Sequence, residues 1–321
     1  MSRAFLIGAG ATRAEYPGAP LSDDFLKLLG GRNPALYQRI KESVIPHIGG
    51  EKQLYDANIE DLMDISYKFP KEVQNTLLDS VHSAIYELLA DTTQSDVAYI
   101  HNYINGNVIR EPSLFKTLLL DGRLNKDDFF MTLNYDLYLD REVLLINNGR
   151  IDYGIRDEFK LFDNDISLRL LPDQIFSVYH LHGSLNWQLT GDKITVLRGA
   201  IRPKYTRDGS SVCIVPPGRK ELNPSLKSIW DVAESRLKNA DELIIIGCSL
   251  NPDDIELIDL LKKGPDRIKV INWDKRLSQA TAIEEENAVN RNLGKRYRAY
   301  HHGFRLHPLS GGQRAFDFIF S

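Results

Sequence analysis

Cysteine is scarce, with only Cys213 and Cys248 in 321 residues. Both stand in apolar settings, SVCIV and IIIGCSL, and read as small core residues. Two thiols exclude a four-cysteine zinc module, and they give no disulfide framework. Long apolar runs are also missing. Nothing approaches the roughly 18 to 20 residues needed to span a bilayer. The apolar stretch in MSRAFLIGAGATR is ended by Arg13, too soon for a secretory signal. No membrane association is expected, and a cytoplasmic location is. The formal charge is only −4, so no global attraction draws the chain to nucleic acid or anionic lipid. Direct nucleic-acid binding is not indicated, and neither repeats nor low-complexity tracts occur.

What is present suits a sizeable core: 42% of residues are hydrophobic, including 13 Phe and 14 Tyr. Short apolar runs recur, each closed by a small or polar residue: RAFLIGAG, FFMTLNYD, FSVYHLHGS, DELIIIGCSL and DRIKVINWD. With helical segments between them, they predict an α/β fold: a Rossmann-like parallel sheet with helices on both faces. Ligands in such sheets bind outside the carboxyl ends of the strands, where all five runs turn polar. In SLKSIWDVAESRLKNA, a helical face of Leu226, Ile229, Trp230, Ala233 and Leu237 precedes one strand.

Residues from about 35 to 120 read differently. NIEDLMDIS sets Ile59, Leu62 and Met63 at helical spacing behind Asn58 as a cap. A second apolar face runs through Val73, Leu77, Leu78, Val81, Ile85, Leu88 and Leu89. This block is expected to be a helical insertion, and a smaller one, at about 141–176, is expected to form a hairpin. The chain is expected to be one domain over 1–321, its core at about 1–34, 121–140 and 177–321.

Three motifs carry candidate chemistry. In GAGATR, glycines directly after a strand let backbone N–H groups approach a phosphate, or simply make a tight turn; Arg13 stands where a dinucleotide fingerprint needs its third glycine. HLHGS sets His180 and His182 two apart, on one side of a continuing strand. They are a metal pair, a single general base, or satisfied strand-end histidines. In TLNYD, Asn134 and Asp136 share a face if the strand continues. They either hold a sugar hydroxyl or water, or cap the helix that follows.

Taken in order, GAG, GAP, T-x-N-x-D, LHG, IIGCSL and VIN resemble the SIR2 family from Phe5 to Asp274, outside the helical insertion. The style of TLNYD, HLHGS, IVPPGRK and IIIGCSLNPDD is similar to the SIR2-like NAD hydrolases of bacterial antiphage defence. The resemblance implies NAD as substrate and needs no metal. Gly8, Ala9, Gly10 and Thr12 would line the diphosphate and ribose, and Asp136 would lie near the nicotinamide with Asn134. Asn134 and His182 would be catalytic. Gly247, Cys248 and Ser249 would form the turn after the later strand, and Asn272 would sit near the adenine-side ribose.

The departures matter as well. Leu133 replaces a ribose-contacting Gln, and LSDDF replaces the family's Asp-Phe-Arg. GAGATRAEYPGAP is longer than the sirtuin pattern, and the zinc ribbon of the protein deacylases is missing. NAD+ glycohydrolysis is therefore the expected activity, in an effector of antiphage abortive infection. A deacylase or ADP-ribosyltransferase, a non-catalytic NAD or ADP-ribose sensor, and a structural subunit are the alternatives. Such an effector needs restraint. With no fused sensor apparent, homo-oligomerisation or a separately encoded partner such as a HerA-type ATPase is implied. The helical insertion and the C-terminal segment, with Arg298, Arg305 and Arg314, are candidate contact surfaces, though a terminal strand on the core accounts equally for the segment's aromatics.

Overall fold

The computed structural model describes residues 1–15, 19–21, 24–48, 50, 54, 59–66, 68–89, 114–120, 122–147, 150–155, 159–160, 176–197, 211–215, 224–251, 254–271, 292–294 and 297–300. Its centre is a sheet of six parallel strands: β1 (Arg3–Ile7), β2 (Phe129–Thr132), β5 (Ser177–His180), β9 (Glu242–Ile246), β10 (Ile268–Ile271) and β11 (Tyr297–Tyr300). Their spatial order is β11-β10-β9-β1-β2-β5. The strand sequences explain the architecture. FFMT, ELIII and IKVI are buried at every position, as a sheet covered on both faces requires.

The chain winds outward from β1 in both directions. It passes through β2 and β5 on one side, then returns to β9, β10 and β11 on the other. Right-handed crossovers place helices from the two directions on opposite faces. One direction carries α7 (Tyr138–Ile146); the return carries α8 (Pro224–Lys238) and α9 (Ile255–Lys262). The apolar face foreseen on α8 is buried throughout, from Leu226 to Leu237. Full burial of such a Leu or Ile side chain contributes about 1.5–3 kcal/mol. Trp230 adds a directional contact, its indole N–H donating to the Leu181 carbonyl at 2.7 Å.

Register puts the carboxyl ends in one row. Ile7 pairs with both Thr132 and Ile246, Thr132 with His180, and Ile246 with Ile271. The residues that follow this row are the ones in which the sequence concentrates its polar motifs.

Of the helical block, α1 (Ala9–Glu15) and α2 (Phe25–Arg32) belong to the first connection. They are followed by α3 (Pro34–Val44), α4 (Ile59–Ser66), α5 (Lys71–Leu89) and α6 (Leu114–Leu120). No strand occurs between 35 and 120 among the described residues. On α5, Leu77, Val81, Ile85, Leu88 and Leu89 are buried while Val73 and Leu78 are half-buried. The expected cap Asn58 lies outside the described residues. Ala11 of α1 and Phe115, Leu118 and Leu119 of α6 pack into the main core, whereas helices α2 to α5 form a second core with Leu185, Val212 and Ile214.

Those three residues belong to a small antiparallel sheet of β6 (Gly183–Thr190), β7 (Lys193–Val196) and β8 (Ser211–Ile214), in the order β7-β6-β8. It begins directly after the HLH motif and carries the insertion. Gly183 has a φ of +79°, and a Cβ there would meet the Cys213 carbonyl oxygen at 1.9 Å, so β8 can pair here only with glycine. A two-stranded hairpin also forms between β3 (Arg150–Ile151) and β4 (Phe159–Lys160), within the stretch where one is expected.

Candidate active site

The chain reverses direction across the sheet between β1 and β9, so the crevice of a doubly wound fold opens there. The glycines serve the close approach of these two strand ends. Gly8 N–H donates to Ile246 O and Gly10 N–H to Gly247 O, both at 2.9 Å. A Cβ on Gly8 would meet Gly247 O at 2.4 Å, and one on Gly247, with φ +60°, would meet Ala11 N at 2.2 Å. The tight-turn reading of GAG therefore accounts for both glycines, and their N–H groups are spent within the protein. Ala9, at the first turn of α1, is exposed.

β2 ends at Thr132, earlier than a shared strand face for Asn134 and Asp136 would require. The two side chains nevertheless converge on Thr12. Asn134 Nδ2 donates to Thr12 Oγ1 at 2.9 Å and to Gly8 O at 3.1 Å, and Thr12 Oγ1 donates to Asp136 Oδ2 at 2.9 Å. A carbonyl can only accept, so Gly8 O fixes which end of the amide faces inward. Asn134 Oδ1 is thereby turned away from Gly8 and Thr12 as an acceptor. Asp136 Oδ1 accepts from Tyr138 N at 2.9 Å, so the helix-capping role is also real. Burial pushes the Asp136 carboxyl up, against the bonds from Tyr138 and Thr12 that favour its ionised form.

The expected shared side of His180 and His182 does not occur, because β5 stops at His180 and the chain turns. Each imidazole has its own carboxylate. His180 Nε2 lies 2.9 and 3.0 Å from the two oxygens of Asp140, and Nδ1 lies 3.2 Å from Asn134 O. Tyr153 donates to the same carboxylate at 2.6 Å, and Trp187 meets the ring edge-on at 5.3 Å. Both ring nitrogens thus face oxygen atoms, those of Asp140 and of the Asn134 carbonyl. Burial pulls the His180 pKa down, but the Asp140 charge and these hydrogen bonds bring it above the ordinary value. His180 thus grips the Asn134 backbone while Thr12 grips its side chain.

His182 Nε2 lies 2.9 Å from Asp254 Oδ2, both residues being almost fully buried. Its ring sits 6.5 Å from that of Tyr135, and β6 returns alongside through Leu185 N–H to Tyr135 O at 3.0 Å. Among the turn residues after β9, Cys248 is buried and Ser249 exposed, while Asn272 lies outside the described residues. Burial pushes the Cys213 thiol up to about 12. No group of three or more His, Cys, Asp or Glu suited to a metal ion occurs among the described residues. No described helix is long and apolar enough to cross a membrane. The partners Asp140 and Asp254 are not evident in the sequence. Asp254 carries one local signal, an N-cap before the apolar run of α9, where its Oδ1 accepts from Leu257 N.

No protein-family model matches the chain, and no curated protein does. Among solved structures, a Sir2 homologue in complex with NAD aligns over 99% of this chain and 88% of its own, at 16% identity and a TM-score of 0.45. A mutant Sir2 homologue with ADP-ribose gives 15% identity, 99% and 90% coverage, and a TM-score of 0.44. Sir2Tm bound to a propionylated peptide gives 13% identity, 91% and 93% coverage, and a TM-score of 0.39. At these values the functional reading rests on the residues themselves.

Proposed function

We propose that the chain is a SIR2-like NAD+ glycohydrolase that cleaves the nicotinamide–ribose bond, with Asn134 and His182 as its catalytic residues. The observation that carries this reading is the buried Asn134–Thr12–Asp136 relay, which joins the chain just after β1 to the chain just after β2, with His182 just after β5, the strand next to β2. The residues suit the substrate in three respects. Asn134 presents a fixed carbonyl oxygen for a ribose hydroxyl or water. Ala9 and Ser249 are exposed at the crevice, where the dinucleotide would lie, and Asp136 stands one hydrogen bond behind Thr12.

In the proposed reaction the C–N bond breaks and its electron pair leaves on nicotinamide, building oxocarbenium character on the ribose. Water oxygen bonds to the ribose carbon, and its proton passes to His182 and then to solvent. Asn134 Oδ1 orients that water or the ribose. Control falls to a homo-oligomer or a separately encoded partner, of which a HerA-type ATPase is one form, in antiphage defence.

The test is NAD consumption by the purified chain, alone and with candidate partners. Nicotinamide release without any protein acceptor supports the reading. Release only in the presence of an acylated protein, or of a protein that accepts ADP-ribose, points to a transferase, and binding without turnover to a sensor.

A further inference from the structure

We propose that Asp254 is the positioning residue of His182: its carboxylate orients the imidazole over the crevice and stabilises the imidazolium formed when His182 takes a proton. The inference rests on the glycohydrolase reading and adds a residue to it.

Three observations carry it. First, His182 Nε2 and Asp254 Oδ2 lie 2.9 Å apart, and both residues are nearly sealed from solvent. Second, the pair is long-range in the fold. His182 follows β5 and Asp254 follows β9, strands separated by β1 and β2, hence by about 14 Å of sheet. The two side chains nevertheless meet, so this contact bridges the carboxyl ends of β5 and β9 across the two strands between them. Third, Asp254 is itself anchored. Its Oδ1 caps α9 through Leu257 N, and its backbone N–H donates to Asn251 O at 3.1 Å. One carboxylate oxygen thus fixes the helix while the other fixes the ring.

The chemistry follows from this contact. The Asp254 oxygen lies against Nε2 as an ion-pair contact, so the carboxylate offsets the positive charge that His182 gains on taking a proton. Asp254 and the Tyr135 ring face His182, whereas His180, two residues away, is committed to Asp140.

The experiment compares the full chain, with whatever partner activates it, in wild-type form and as Asp254→Asn and Asp254→Ser. Asn and Ser cap helices about as well as Asp, so α9 is retained while the charge is removed. The expected result is a fall in kcat of about tenfold or more with KM little changed. The acid limb of kcat/KM moves to lower pH, since loss of a neighbouring anion makes the imidazolium easier to deprotonate. Unchanged kcat and an unmoved acid limb overturn the proposal. So does a rise in turnover, which would make the pair a closure over the crevice, and so does unfolding of both cap-retaining variants, which would make Asp254 structural. Failure of the underlying reading looks different: His182→Ala then keeps full nicotinamide release, or wild-type protein releases none under any condition.

Discussion

At the scale of single residues, Thr12 is an inconspicuous member of the site that links two others. Its hydroxyl accepts from Asn134 and donates to Asp136. Thr12→Val keeps the shape but leaves two buried polar groups short of a partner, at about 1–3 kcal/mol each. Denaturant unfolding should report that loss, and nicotinamide release should fall with it, while Thr12→Ser recovers most of both. His180 predicts a pH effect of definite sign. Its folded pKa lies above the ordinary value, so its stabilisation is complete below about 6.5 and fades as pH rises through the higher folded value. Unfolding midpoints measured from pH 6 upward should decline in the wild type, and the decline should be weaker in His180→Gln. The motifs made Asn134 and His182 legible as candidates. Asp140 and Asp254 were not, because their importance comes from contacts that tertiary structure alone creates.

Among the elements, the parallel strands were the easiest to foresee. Strands covered on both faces are largely apolar, and RAFLI, ELIII and IKVI show this apart from Arg3 and the buried Glu242–Lys269 pair. The α8 face was equally clear from its spacing. The β6–β8 sheet was not. GSLNWQLT is too polar to stand out, and SVCI drew notice only as the setting of Cys213. One signal was present: Gly191-Asp192 is a two-residue turn of the type that joins hairpin strands, with Gly191 at φ +59°. The sheet predicts that Gly183→Ala is among the most damaging single changes. A methyl group at 1.9 Å from Cys213 O forces β8 away from Gly183, and a loss above about 2 kcal/mol is expected in thermal or denaturant unfolding. Within α5, the Nε2 of His82 is sealed from solvent and burial pulls its pKa down to about 4. Between pH 6.5 and 4 the unfolded chain binds a proton that the folded one refuses, so stability falls on acidification, by at most about 3 kcal/mol. A His82→Leu variant should lose most of that acid sensitivity, measured by unfolding at pH 4 and pH 7.

For the whole molecule, one arrangement organises the rest: a doubly wound sheet whose strand ends fall in a single row, so that residues from four distant stretches meet at the point where the winding reverses. The sequence motifs pointed to this crevice because each closes an apolar strand. The geometry adds two things to what they led one to expect: the N–H groups of Gly8 and Gly10 donate to carbonyls at the carboxyl end of the central strand β9, and the two histidines face different carboxylates. Of the C-terminal candidate surface, Tyr297–Tyr300, with Arg298, forms β11 beside β10, while Arg305 and Arg314 lie outside the described residues. The most direct measurement is a paired one on Asn134→Ala and His182→Ala, in whichever assembly activates the wild type: NAD binding by calorimetry and nicotinamide release by chromatography. The account predicts that both variants bind NAD within a few-fold of wild type and release nicotinamide about 100-fold or more slowly. Variants that bind NAD and release nicotinamide at the wild-type rate contradict it.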